Sequence, residues 1–382
     1  MLLVPNFLHG LDRQGLELLS RSTGKRLVIV QLSGGNDGLN SVIPYQNDLY
    51  FKARPSLAIP AQKVLPLDKG LGLNPAMDKM RLLYDQGKLS ILNNVGYPNP
   101  DRSHFRSMDI WHTASASNEY LSTGWLGRYM DSCNAGMAAI EVDDTLSLAL
   151  KGDKYKGVAV QNVQRFYQAS QDAFLKNVAR THQEEHEHHS VNYLYKTLVD
   201  TQQSADYLYE KVKKYRSKQE YPNSEFARNL KTIAELITSG VEARVYYASL
   251  SGFDTHVQQL NQQARLLEEF SEGVYSFVQD LQQQNMFDET LIMVFSEFGR
   301  RVQQNASNGT DHGTANNVYL IGNKLRTPGI FNEGPNLQNL DAGDLKYTID
   351  FRTIYAALLQ QWLQTDSSAI LNANIKPLKG LV

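Results

Sequence analysis

Carboxylates, imidazoles and a hydroxyl recur in this 382-residue chain in one kind of place, the turn beside an apolar run. SGGNDGLN sets Asp37 among Gly34, Gly35 and Gly38, which allow backbone to approach a ligand closely. NVGYPNPDRSHF puts Ser103 and His104 at an expected helix start, and SGFDTH supplies Asp254 and His256. SEFGRR supplies Glu297 and Arg300, and the Gly-rich GTDHGTANN supplies Asp311 and His312. Asp, Glu and His are ligands for hard or borderline divalent ions. Such an ion can hold an anionic substrate while making a water or hydroxyl a better nucleophile. Ser103 at a helix N-terminus sits where backbone N–H groups favour an oxyanion, and Arg102, Arg106 and Arg300 are close enough in sequence to clamp negative charge. Singly, Asp37 and Asp254 read as helix caps and Glu297 as a charge in a first helical turn. Five such fragments at strand ends favour one shared site.

Other clusters carry less. In HQEEHEHH (182 to 189), His182 and His186 stand one helical turn apart, as do Glu185 and His189, a spacing that suits zinc. The segment lacks Gly loops and apolar shielding, so a solvated helix face is its reading. GGNDG has neither the GxGxxG pattern nor the Lys-Ser/Thr ending of a nucleotide loop. A Ser-His-Asp triad built from Ser103, His104 or His256, and Asp254 stays open, although no GxSxG elbow surrounds Ser103.

Apolar runs at 26–32, 88–95, 242–250, 289–296 and 317–322 predict buried parallel strands. Helical spacing is expected over 75–86, 103–113 and 256–284, with a closing helix in 348–363 after a loop at 332–347. Alternation of strands and helices implies an α/β sheet covered on both faces, with ligands beyond the strands' carboxyl ends. From about 161 to 238 the pattern turns to nearly continuous polar helix, read as an insertion or cap within one domain spanning 26–382.

Thirty-eight basic against forty acidic side chains, for a net charge of −2, offer no field for gripping nucleic acid. No stretch approaches the roughly 20 apolar residues of a membrane span. A single cysteine, Cys133, excludes an intramolecular disulfide and a multi-cysteine zinc cage. Small-molecule chemistry is the remaining expectation. Residues 1–25 read either as an ordinary arm or as the remnant of an export signal.

The ordered set VIVQLSGGNDGLNSVIPY, LGLNPAMDKM, GYPNPDRSHFRSMDIWHTAS, GWLGRYMD, SGFDTH, VFSEFGRRVQQNASNGTDHGTANNVYLIG and DFRTIYAALLQQWL spans roughly 26 to 363. It resembles the bacterial family called domain of unknown function 1501, itself similar to the alkaline phosphatase and sulfatase superfamily. The resemblance implies an alkaline-phosphatase-like three-layer sandwich with a mostly parallel central sheet and a helical insertion. It also implies a twin-arginine export signal ending near LLVPNFLHGL, hence a periplasmic or extracellular protein. Carried over by position, Asp37, Asp254, His256, Glu297 and His312 are the expected metal ligands, for Zn, Mn, Ca or Mg. Ser103 is the expected nucleophile, with His104 and Arg300 beside it. Phe298 departs from the pattern, standing where the superfamily's phosphatases usually place a metal-binding His. The implied activity is metal-assisted hydrolysis or transfer of a phosphate or sulfate ester. The rival readings are a non-catalytic exported protein binding a glycan or envelope component, and a metal-free serine esterase.

Overall fold

A computed structural model describes residues 24–133, 139–181 and 189–382. Residues 1–23 of the expected arm and 182–188 of the HQEEHEHH run lie outside the described residues.

Among the described residues, nine strands form the main sheet. They are β1 (Arg26–Ser33), β2 (Leu89–Gly96), β3 (Ala139–Glu141), β4 (Val158–Ala159), β5 (Val245–Ser251), β6 (Thr290–Phe295), β7 (Asn316–Ile321), β8 (Gly329–Ile330) and β9 (Ile349–Asp350). Their order is β8-β2-β7-β6-β1-β5-β3-β4, with β9 also on β2. β1 runs parallel to β5 and β6 at the centre. The run at 317–322, expected to be parallel, forms β7 and is antiparallel to both β2 and β6. An apolar run buried on both faces carries no mark of direction, which is why its sequence reads the same either way. The reversal has a consequence for the site: residues ahead of β7 emerge at the edge where β1, β2, β5 and β6 end.

The helices of eight or more residues are α1 (Asp78–Asp85), α2 (His104–Thr113), α3 (Trp125–Ser132), α4 (Val163–Ser170), α5 (Ala173–Thr181), α6 (His189–Val212), α7 (Glu225–Thr238) and α8 (Gln259–Gln283). A shorter one, α9 (Phe351–Ala357), continues into a π turn. β1 shows why the fold has three layers. Val28, Val30 and Leu32 join a core with Phe226 and Leu230 of α7 and Phe270 and Phe277 of α8. Leu27 and Ile29, pointing the opposite way by strand alternation, join one with Trp111 of α2, Trp125 of α3 and Tyr355 of α9. The protein is therefore an α/β sandwich with a mostly parallel sheet. α7, at the end of the polar helical stretch, belongs to the covering layer itself. Among the described residues no helix is long and apolar enough to cross a membrane.

Short strand β3 carries one costly group. Glu141 is buried, its Oε2 accepting the Ser147 N–H at 2.6 Å, and burial pushes its carboxyl up to about 7. A carboxyl whose folded pKa is raised retains its proton longer in the native state, so stability falls as pH rises from the ordinary carboxylate range through 7. Glu141→Gln is therefore expected to match the wild type at pH 4.5 and to exceed it by as much as about 3 kcal/mol at pH 8. Urea denaturation of both proteins at the two pH values checks this, and an equal difference at both would contradict it.

Candidate metal centre

Four strand-end loops and the start of α2 meet at one edge of the sheet. The first loop bends sharply after β1. Gly34 has φ +114°, its N–H donates to Glu297 Oε1 at 2.9 Å, and a Cβ on it would come within 2.5 Å of Asp254 N. Gly35 has φ +74°, and a Cβ there would meet the Phe298 ring at 2.2 Å. Both positions thus require glycine. Arg300, fully buried, ties the loops together: Nε donates to Gly35 O, Nη1 to Thr310 O, and Nη2 to Gly34 O, Phe253 O and Asp254 Oδ1. A backbone bridge between Arg300 and His312 completes the junction.

Asp254 Oδ1 is where the site converges. His104 Nε2 lies 3.3 Å from it, His256 Nε2 3.0 Å, His312 Nε2 3.1 Å and Arg300 Nη2 2.8 Å. The ligand atoms of His104, Asp254 and His312 all lie within 4.8 Å of one another. His256 adjoins them, with Nε2 2.9 Å from His312 Nε2. On the far side of each ring an acceptor holds Nδ1. His104 Nδ1 is 2.9 Å from Glu297 Oε1, His312 Nδ1 is 2.8 Å from the Arg102 carbonyl oxygen, and His256 Nδ1 is 3.3 Å from Asp311 Oδ1.

These partners assign the tautomers. A carbonyl or a carboxylate only accepts, so each Nδ1 carries a proton, and a ring that holds no second proton presents its Nε2 lone pair toward the Asp254 oxygen. Electron-pair donors facing one another at about 3 Å share either a proton, as in the His312–Asp254 and His256–His312 contacts, or a metal cation. His104 Nε2 favours the cation: the atom is buried and makes no hydrogen bond of acceptable geometry. The imidazole Nε2 atoms stand 3.0 to 3.3 Å from Asp254 Oδ1, close to the separation of about 3.3 Å between ligands about 2.0 to 2.1 Å from a tetrahedral centre. The Nδ1–acceptor pattern is that of metal-binding histidines generally. The residues present thus fit a divalent ion held by His104, Asp254 and His312, with His256 adjoining.

The electrostatics follow from the same contacts. Partial burial pushes the Asp254 carboxyl up, but hydrogen bonds from Arg300 and His312, with the charges of Arg300 and His256, outweigh it and hold the carboxyl at about 2. The Glu297 hydrogen bond raises the His104 pKa, whereas burial lowers that of His312. Asp254 itself is exposed on one side, so the centre is open to solvent.

Several expected site residues stand elsewhere. Asp37 is buried, caps a short helix through Leu39 N, and pairs with Arg54 through Oδ2 at 2.5 Å and Oδ1 at 3.0 Å, with Gln259 Nε2 also donating to Oδ2. Both its oxygens are committed to donors, which removes it from the ligands. Glu297 is also no member of the converging set, because its Oε1 accepts from Gly34 N and stands at His104 Nδ1, on the side of that ring away from Asp254. His104, expected as a catalytic partner, faces Asp254 as a ligand does. Arg300, expected to clamp substrate charge, is spent on backbone carbonyls and on Asp254. Arg106 is turned to the carbonyls of Ala116, Ser117 and Glu119, and stacks on Tyr120. Arg102 pairs with Asp344. Ser103 is exposed at the N-cap of α2, and its side chain makes no capping hydrogen bond. Phe298, the departure from the phosphatase pattern, is buried with its ring 4.8 Å from that of His104 and 4.7 Å from that of His312, an apolar wall that fixes both. Arg54 and Gln259 were not picked out in the sequence. Neither stands in a Gly-rich turn or beside another chemical residue, so no local signal marks them.

The family model described as Protein of unknown function (DUF1501) matches residues 87–367. The chain belongs to that family. Among curated proteins none matches this member in sequence. Among solved structures, the family member is similar to the PsFucS1 sulfatase from Pseudoalteromonas sp., at 10% identity and a TM-score of 0.42, over 98% of this chain and 74% of that one. It is similar also to the C-terminal periplasmic domain of EcEptC from Escherichia coli in complex with Zn, at 11% identity and 0.40, over 80% and 76%. A protein in the alkaline phosphatase superfamily from Vibrio parahaemolyticus follows, at 9% and 0.38, over 85% and 71%.

Proposed function

We propose that the chain binds a divalent ion at His104, Asp254, His256 and His312 and there hydrolyses or transfers a phosphate or sulfate ester. The observation that carries the reading is the convergence of three imidazole Nε2 atoms on one carboxylate oxygen, Asp254 Oδ1. A bound ion would supply Lewis acidity toward an anionic ester oxygen. Ser103 is the candidate nucleophile: its side chain is exposed, is not used in capping, and precedes His104 directly. Arg300 and Glu297 position Asp254 and His104, respectively, and Phe298 keeps water from one side of both rings. The metal-free esterase reading is less well supported, since both nitrogens of each candidate base are turned to other partners, those of His104 to Glu297 and Asp254 and those of His256 to Asp311 and Asp254.

The test is a panel of aryl phosphate and sulfate esters given to the metal-loaded protein, to the chelator-treated protein and to Ser103→Ala. Turnover of at least one ester class is expected, with a loss of at least about 100-fold on chelation and in the variant. Turnover that survives Ser103→Ala unchanged removes Ser103 from its role. Absence of turnover across the whole panel overturns the ester reading.

A further inference from the structure

The donor atoms say more about the ion than that one is bound. We infer that the centre takes a single ion of the borderline, zinc-like class through imidazole nitrogen, and that Glu297 serves it as a positioning residue rather than as a ligand. The inference rests on the metal centre proposed above, though not on the ester chemistry.

Count and class both follow from which atoms are committed. A second ion beside the first would need further anionic oxygens, and of the two buried carboxylates in the loops Asp37 has donors on both oxygens while Glu297 has its close partners on Oε1. Asp37 has Arg54 and Gln259 on Oδ2, and Arg54 and Leu39 N on Oδ1. Glu297 has Gly34 N and His104 Nδ1 on Oε1, with the Ser296 hydroxyl 3.3 Å from Oε2. Phe298 fills the wall between His104 and His312 with carbon. Asp311 is exposed and turned to His256 and Asn305. What converges is three nitrogens and one oxygen. Imidazole suits zinc, copper, iron and nickel, whereas magnesium, calcium and manganese prefer all-oxygen sites of six or more ligands.

The role of Glu297 follows from the geometry of His104. Its carboxylate lies on the Nδ1 side of the ring, opposite the atom that faces Asp254. There it fixes the tautomer and the ring angle and raises the basicity of Nε2, as a carboxylate behind a ligating histidine does. It is itself fixed by Gly34, so the bend after β1 and the orientation of His104 are one construction.

The experiment uses the whole chain, stripped with chelator and dialysed against Zn²⁺, Mg²⁺ or Ca²⁺ singly, with metal content measured by inductively coupled plasma mass spectrometry. One zinc per chain is expected, undisplaced by excess magnesium or calcium. Cobalt substitution should give the strong visible absorption of a four-coordinate ion. In Glu297→Gln the cobalt spectrum should keep its shape while zinc affinity falls about 10- to 100-fold. His104→Ala, the contrasting variant, should change the spectrum itself. Two zinc ions per chain, displacement by magnesium or calcium, or a cobalt spectrum in Glu297→Gln altered as in His104→Ala would overturn the inference. No ion on a chain shown folded by circular dichroism overturns it together with the proposed function. One zinc without turnover of any ester leaves it standing and removes the ester reading alone.

Discussion

Asp254→Ala is expected to abolish specific ion binding and, with it, the ion's contribution to stability, while leaving the fold in place. The asymmetry comes from where the carboxylate sits. On its functional side it is the shared oxygen of three imidazoles, so no other residue can substitute for it. On its structural side it is only one acceptor among several for Arg300, which retains the carbonyls of Gly34, Gly35, Phe253 and Thr310. Loss of one charged hydrogen bond from that set costs about 1.5 to 3 kcal/mol. The ion's contribution is of similar size or larger: at a free concentration 1,000 times Kd, binding to the native state alone adds about 4 kcal/mol. Thermal unfolding with and without zinc separates the two terms. The wild-type midpoint should rise steeply with zinc, and the variant's should not move. A variant that still gains stability from zinc would show that the histidines hold the ion without Asp254.

Much of this centre was legible in the sequence, because strand-end loops are where polar chemistry accumulates in an α/β sheet. Asp254, His256 and His312 stand out as candidate site residues on that ground, the family resemblance makes them expected ligands, and the three side chains meet at the sheet edge. The remainder was illegible for identifiable reasons. Which of His104 and Glu297 faces Asp254 depends on a contact made through Gly34 N–H, 70 residues before His104 in the chain, and adjacency to a strand end does not encode it. The direction of β7 is invisible in a run buried on both faces. The antiparallel course nevertheless explains how a loop that precedes its strand reaches an edge otherwise made of loops that follow theirs. The four short strands β3, β4, β8 and β9 were not foreseen, being too brief to show alternation.

Asp37 is the instructive case, since its place after the first strand and among glycines is what a ligand's would be. The distinguishing feature is Arg54, whose guanidinium grips both carboxylate oxygens in a site from which solvent is excluded. Asn40 Oδ1 and the carbonyls of Arg301 and Val302 accept its other N–H groups, so the pair is fully provided with hydrogen bonds. Breaking such a pair from one side leaves a buried charge uncompensated, at a cost of about 3 to 5 kcal/mol, whereas replacing both members by apolar residues is often close to neutral. Arg54→Met should therefore destabilise by that amount in urea denaturation, and Asp37→Leu combined with Arg54→Met should recover most of it. The two substitutions are strongly coupled, which a double-mutant cycle reads directly. If Arg54→Met instead costs less than about 1 kcal/mol only in the presence of zinc, Asp37 has found a second cation in the ion itself and belongs among its ligands after all. A loss that is the same with and without zinc fixes Asp37 as a structural anion, spent on holding the loop that carries Gly34 and Gly35 against the centre.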